Sequence, residues 1–539
     1  MLVIFQNLLL IECSRKIPPI ERTYSSLRVP ISQEPITLDP QKAWDVYSGQ
    51  IISQIYEGLT EYDPANMKVK PVLARSWEVS PDGIRYTFNL RTDVHFHDNP
   101  CFPGGKGRRM TALDVIYSWK LNAWLHEDGS YPTGWRALEP FAEVHFSGNL
   151  DSARISGVSA LDDSTLLVIL KAPTPWFPWF LTYSFLKIVP REAVEYYKHD
   201  LSRNPVGTGA FQFFKWEPNK EIVLVRHPGY WGKYKEDKHL PYLHSLIFRI
   251  IVQHAVQLAE FRKGDLDIMP YHPEIMDELP FQQKAITDDY LIHKTDLSLH
   301  TIFILLPNPW SSVITPQTEA GILLRESVSL RRALNFAVNK ERILQEVFPL
   351  GNAVPAKGRF PPGLPYANPE LRGYPYNPKK ASSILDSLGF PRGEGIPSLR
   401  LVAGNSPRDE KIAKLVSEDL QKVGIHVEVH LGPYSELRSL RESLDPEMEL
   451  NGWIADYPHN QNFLDFPFPG LYSGVTVDSI LRSYYLEWEK KYVSMAPCIF
   501  LLHVKPLPVI VKRDVEGFLL SPIGNTLYKA VRKNSDISE

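Results

Sequence analysis

Cysteine is scarce: Cys13, Cys101 and Cys498 are an odd, widely spaced set in 539 residues, and they define neither a disulfide framework nor a zinc site. Charge of one sign is lacking too. Lys and Arg number 59 against 62 Asp and Glu, a formal net charge of -3 with no basic arm, so no broad field draws the chain to nucleic acid. No apolar run approaches the about 20 residues that span a bilayer. There is no internal repeat and no low-complexity tract. Gly-x-Ser-x-Gly and His-Glu-x-x-His are absent, which removes two common hydrolase signatures.

What is present is globular. Hydrophobic residues make up 43% of a length that exceeds one core, so two or three domains with substantial interiors are expected. Aromatics reach 12%, and 46 prolines stiffen the turns. Such rings either line a recognition surface or fill a large core. The chain opens MLVIFQNLLLIECSRK, an apolar stretch like the tail of a secretory signal, with Cys13 where a bacterial lipoprotein carries its lipid. No Lys or Arg precedes the stretch, and Glu12 stands where a small residue belongs. Export and lipidation of Cys13 are the expectations it raises.

Strand and helix patterns follow in order. Leu27–Ile31 reads as a strand and Trp44–Leu59 as a helix with Ile51, Ile55 and Leu59 on one face. Leu73–Leu90 and Val158–Leu170 alternate as hairpins, the first turning at Ser80-Pro81-Asp82-Gly83. Val94–His97 prolongs the strand pattern, so His95 and His97 are expected on one side, either as metal ligands or as a half-exposed strand end. The loop Pro103–Arg109 is glycine-rich but lacks the Gly-Lys-Ser/Thr ending of a phosphate loop. Thr111 caps a helix with Asp114 as its partner. Lys171–Phe180, KAPTPWFPWF, cannot be regular helix, and its rings either pave a cleft or plug a core edge. Gly207 and Gly209 relax the backbone before a strand pair turning at Glu217-Pro218-Asn219. After Met269 the pattern changes to αβ units, with Leu399–Ala403, a helix near Glu410–Val423 and Ile425–Leu431 forming a parallel βαβ pair.

One stretch, Gly452–Asn462 (GWIADYPHNQN), holds a single carboxylate among Trp453, Ile454, Tyr457 and Pro458. Asp456 is either an ordinary loop acid or the partner of an ammonium group, its attraction strengthened by rings that exclude water. A glycoside hydrolase pair, Asp456 with Asp465, is the enzymatic rival, since that chemistry needs two carboxylates at a set separation.

Several motifs together resemble the family 5 extracellular solute-binding proteins, the binding components of bacterial ABC importers. They are Glu34–Pro40, Tyr56-Glu57-Gly58-Leu59, Ser80–Gly83 with Tyr86-Thr87-Phe88, Phe96-His97-Asp98, Val206–Gly209, Tyr230-Trp231, Arg331–Leu334 and Ala455-Asp456-Tyr457, in family order. The resemblance implies an α/β fold, a two-lobed clamshell like the periplasmic binding proteins, with an extra subdomain on the first lobe. The expected parts are a tether at 1–26, a first lobe at 27–60, 181–268 and 500–535, the subdomain at 61–180 and the second lobe at 269–499. It implies a monomer that closes on a peptide and hands it to ABC permease subunits. No enzyme activity, cofactor, metal or nucleic acid is implied, and the membrane enters only through a lipid anchor. The acid of Ala-Asp-Tyr holds the peptide's α-amino group in such proteins, a role that falls on Asp456, while Tyr457, Trp453, Trp176 and Trp179 are expected as cleft rings. Where family members continue with Pro-Asp-Pro, this chain has Pro458-His459-Asn460, and the segment 471–496 is shorter than usual. Other ligands, a nickel complex or a sugar, and a sensor or adhesin built on the same fold are the alternatives.

Overall fold

Alternating apolar residues in Ser26–Ile31 and Ser245–Ile250 pair the two strands in parallel, and the second is followed in space by Glu221–Arg226 and Phe211–Glu217. This computed structural model describes residues 25–125, 143–145, 150, 154–233, 239–272, 290–309, 314–464, 478–524 and 526–533. Cys13 and Asp465 lie outside the described residues. The four strands carry the first lobe, and the hairpins Ala74–Val79/Arg85–Leu90 and Val158–Asp162/Thr165–Ile169 join as the separate sheet of the subdomain. Lobe and subdomain share one core that runs from Leu27 and Ile51 through Phe88, Trp119 and Phe177.

The second lobe is built on six strands in the order Ala353–Pro355, Cys498–Val504, His300–Leu305, Met448–Ile454, Leu399–Gly404 and Val427–Gly432. Helices Val328–Ala337, Pro378–Ser387 and Pro407–Gln421 supply the apolar stripes of its core. The expected parallel pair is Leu399–Gly404 with Val427–Gly432.

Between the lobes the chain passes through a three-stranded sheet in which Val509–Lys512 lies between Ile268–Pro270 and Tyr290–His293, all antiparallel. The crossings at 294–299 and 505–508 therefore run side by side, the geometry of a hinge. A boundary at 499/500 is corrected by this arrangement: Cys498–Val504 is one continuous strand of the second lobe, fully buried along its length.

Two local expectations also change. The first helix is Val46–Ile55, shorter than Trp44–Leu59, because Asp45 caps its start by accepting from the Ser48 N–H and the loop at 207–209 closes on its end. Gly209 N–H donates to Ile55 O at 2.8 Å. A Cβ on Gly207 would lie 2.1 Å from Ile55 O, so the glycines permit close backbone approach. His95 and His97 differ in burial: His95 is exposed, while His97 is buried with Nε2 2.9 Å from Gly209 O and its ring against His227, which also feels His95.

Candidate ligand-binding site

A cavity of about 750 Å³ opens between the lobes. The first lobe contributes the start of helix Val46–Ile55, the extended run 56–62 and the turn 182–187. Opposite stand the ends of strands His300–Leu305 and Met448–Ile454 and the first turns of helices Pro407–Gln421 and Leu437–Leu444.

Asp456 owes its place to its neighbours. Ala455 is buried in the second lobe's core and its N–H donates to Leu299 O at 2.8 Å, whereas Tyr457 is buried in the first lobe's core. The residue between them sits at the seam of the two lobes, on the cavity wall. Asn462 fixes it from behind: its Nδ2 donates to Asp456 Oδ2 at 3.1 Å, and its Oδ1 accepts from the Asp456 N–H at 2.9 Å and from Trp453 Nε1 at 3.0 Å. His459 holds the short helical turn Asn460–Phe463 that carries Asn462, its Nδ1 accepting from the Gln461 N–H at 3.1 Å. Burial pushes the His459 ring down to about 3, so it stays neutral and able to accept. Asn460 Oδ1 accepts from the Tyr366 N–H. The Pro458-His459-Asn460 variant thus builds the scaffold behind the carboxylate.

The cavity wall is charged. Glu57 is buried, which raises its carboxyl, while Lys529 and the hydrogen bonds from Trp231 and Tyr230 oppose that rise. Burial would raise Glu61 as well, yet Lys529 and Lys70, bonded to it, bring it down to about 2. Lys187 is lowered by burial against the pull of Glu61 and Glu57. Across the gap, burial carries His300 down to about 4, with Arg408 adding to the effect and Asp409 opposing it. Acid and base on both faces suit a zwitterionic ligand better than an apolar one.

The family model for bacterial extracellular solute-binding proteins, family 5, matches residues 68–471. The chain belongs to this family. Similar family members include the dipeptide-binding protein of Escherichia coli, 25% identical over 518 residues and covering 88% of each chain. Heme-binding protein A of Haemophilus influenzae is also 25% identical, over 82% of this chain and 75% of its own. Among solved structures, the periplasmic binding protein DppA from Helicobacter pylori in complex with peptide STSA superposes with a TM-score of 0.73 at 23% identity, over 95% of this chain and 99% of that one. HbpA2 from Haemophilus parasuis gives 0.74 at 21%, over 94% and 99%. These likenesses show the same two-lobed α/β fold.

Within this solute-binding protein the expected site residues separate into two groups. Asp456 and Trp453 are on the cavity wall. Tyr457, Trp176 and Trp179 are off that wall: the first two form an aromatic seam behind it, which corrects their expectation as cleft rings, while Trp179 borders a second cavity together with Pro178, Pro365 and Tyr366. Trp176 stacks on Tyr457 at 6.2 Å and 9°, Phe180 meets Tyr457 edge-on, and Trp179 packs on His459 while its Nε1 donates to Met67 O. The segment Lys171–Phe180 plugs a core edge, with one short helical turn at Phe177–Phe180. Three wall residues escaped the sequence reading. Trp44 and Tyr434, 58% and 81% exposed, face the cavity from opposite lobes, and Lys187 stands on its floor. An aromatic just before the helix cap at Asp45 was the available signal for the first; a lone lysine and a loop tyrosine carry none. Among the described residues no cluster of three His, Cys, Asp or Glu is placed to hold a metal ion.

Proposed function

We propose that this family 5 solute-binding protein captures peptides by closing its lobes around them and delivers them to the permease of an ABC importer on the outer side of the cell membrane. The observation that carries the reading is the seam position of Asp456, on the wall of a cavity lined from both lobes. A ligand that touches both lobes draws the population toward the closed form, so its affinity comes from closure. An extended peptide offers backbone donors and acceptors along its length, and its α-amino group supplies the ammonium that a seam carboxylate attracts. Relatives named for dipeptides, for glutathione and for peptide transport support the class.

The chain acts here as a binder, not a catalyst, so peptide recovered after incubation is expected unchanged by mass spectrometry. The decisive test is calorimetric titration with short peptides in free and N-acetylated form. Asp456→Asn should weaken the free forms by about tenfold or more, the share of a charge-assisted hydrogen bond, and leave the acetylated forms as they were. Equal losses for both would remove Asp456 from the role.

A further inference from the structure

The cavity floor holds an ammonium that the protein does not use. Lys187 is partly buried on the wall, yet its Nζ makes no hydrogen bond or ion pair with any described residue. Its backbone is pinned: Gln41 Nε2 donates to Lys187 O at 3.3 Å, and the next N–H, of Ile188, donates to Glu57 O at 3.0 Å. The stem runs past Gly58, where an added Cβ would meet Lys187 Cδ at 3.7 Å, an ordinary contact, and strike Leu181 O at 2.9 Å.

The nearby carboxylates already have partners of their own. Glu57 accepts from Tyr230 OH at 2.8 Å, Thr208 Oγ1 at 3.0 Å and Trp231 Nε1 at 3.1 Å. Glu61 is bound by Lys529 at 2.8 Å and Lys70 at 3.0 Å. Three ammonium groups thus stand with two carboxylates; Glu57, Glu61 and Lys187 line the cavity, and of the three ammonium groups Lys187 is the one on that wall. An ammonium partly withdrawn from water, attracted by Glu61 and Glu57 but hydrogen-bonded to neither, is left short of acceptors, and an entering anion supplies them.

We propose that Lys187 is the anion anchor of the cleft and selects ligands that carry a carboxylate, either an acidic side chain or a free carboxyl terminus. This rests on the peptide reading and sharpens it, from peptides in general to peptides with a negative group placed to reach the floor. A single surplus charge flanked by Glu57 and Glu61 suits a monoanion, because those two acids repel a phosphate dianion. A lysine that served only to balance Glu57 and Glu61 would affect folding and leave ligand choice unchanged.

The test uses the full chain and alanine tripeptides carrying Glu or Gln at each position in turn, with carboxyl or amide ends. In the wild type, one carboxylate-to-amide exchange should weaken binding about tenfold, and its location tells side chain from terminus. Lys187→Met, which keeps the apolar stem, should bring that ratio to about one without weakening the amide form; Lys187→Arg should restore part of it. A ratio unchanged in Lys187→Met overturns the proposal and leaves peptide capture standing. A second measurement needs no peptide: protection of Lys187 from reductive methylation by succinate but not by succinamide, read by mass spectrometry. Protection with no peptide binding retains the anchor and removes the peptide reading. No protection and no binding removes both.

Discussion

At the scale of single residues, the site is built by side chains that never touch the cavity. Asn462 bonds both Asp456 and Trp453, so Asn462→Ala should cost about 1 to 2 kcal/mol of stability and also lower the affinity for amino-terminal peptides, measured together by urea unfolding and titration. Glu489 works one layer further out. It is buried and accepts from the Phe360 N–H at 2.9 Å and the Asn368 N–H at 3.4 Å, tying the 359–368 loop to the helix Asp478–Met495. That loop in turn meets the site scaffold through Tyr366, bonded to Asn460 and packed against His459. Burial raises Glu489 to about 7, against the backbone hydrogen bonds that lower it. The folded protein therefore holds this proton where the unfolded chain has released it, and stability falls as pH rises from the ordinary glutamate range to about 7. The contribution is on the order of 3 kcal/mol, and Glu489→Gln should remove it: unfolding midpoints at about pH 5 and about pH 8 should lie closer together in the variant than in the wild type. An unchanged gap would place the charge elsewhere.

Among elements, the glycines at 207 and 209 show what a sequence conveys and what it withholds. A Cβ at either would strike helix backbone, 2.1 Å from Ile55 O for Gly207 and 2.4 Å from Gln54 O for Gly209. Gly209→Ala should cost about 3 kcal/mol or more by chemical unfolding and displace the helix that borders the cavity, while Gly105→Ala, where a Cβ meets nothing within 4 Å, should cost about 1 kcal/mol for its left-handed backbone alone. The strands at 85–90 and 399–404 and the pairing of Thr111 with Asp114 at a helix start were open to inspection, because period and capping act over a few residues. The positions of Trp176 and Trp179 were not. Composition says that rings gather in KAPTPWFPWF, but whether they face a gap or another ring depends on Tyr457 for Trp176 and on His459 for Trp179, each some 280 residues away, contacts no local pattern encodes. The burial of His97 was hidden for the same reason: Gly209, more than 100 residues on, holds its ring, while His95 sits exposed at a single bridge to Arg109.

For the whole molecule, the two-lobed plan came from the order of motifs along the chain, since nothing in hydrophobic period alone predicts that two cores will be joined by paired crossings. The structure adds a device to that plan. Tyr457 leaves the second lobe's sheet and enters the first lobe's core against Trp176 and Phe180, so the aromatic seam lies beside the gap that a ligand fills. Contacts across a hinge bias its open and closed populations, and ligand affinity scales with the competent fraction. Removing the ring should therefore loosen the lobes before any ligand arrives. Tyr457→Ala is expected to raise the ligand-free radius of gyration in small-angle scattering and to weaken peptide binding with Asp456 intact. Trp176→Ala should act in the same direction. If both work through their mutual stacking, the double variant will lose less affinity than the sum of the single losses, because the second substitution removes a contact already broken. Strict additivity, with the radius unmoved, would reduce the seam to ordinary core packing and leave the closed population to the ligand alone.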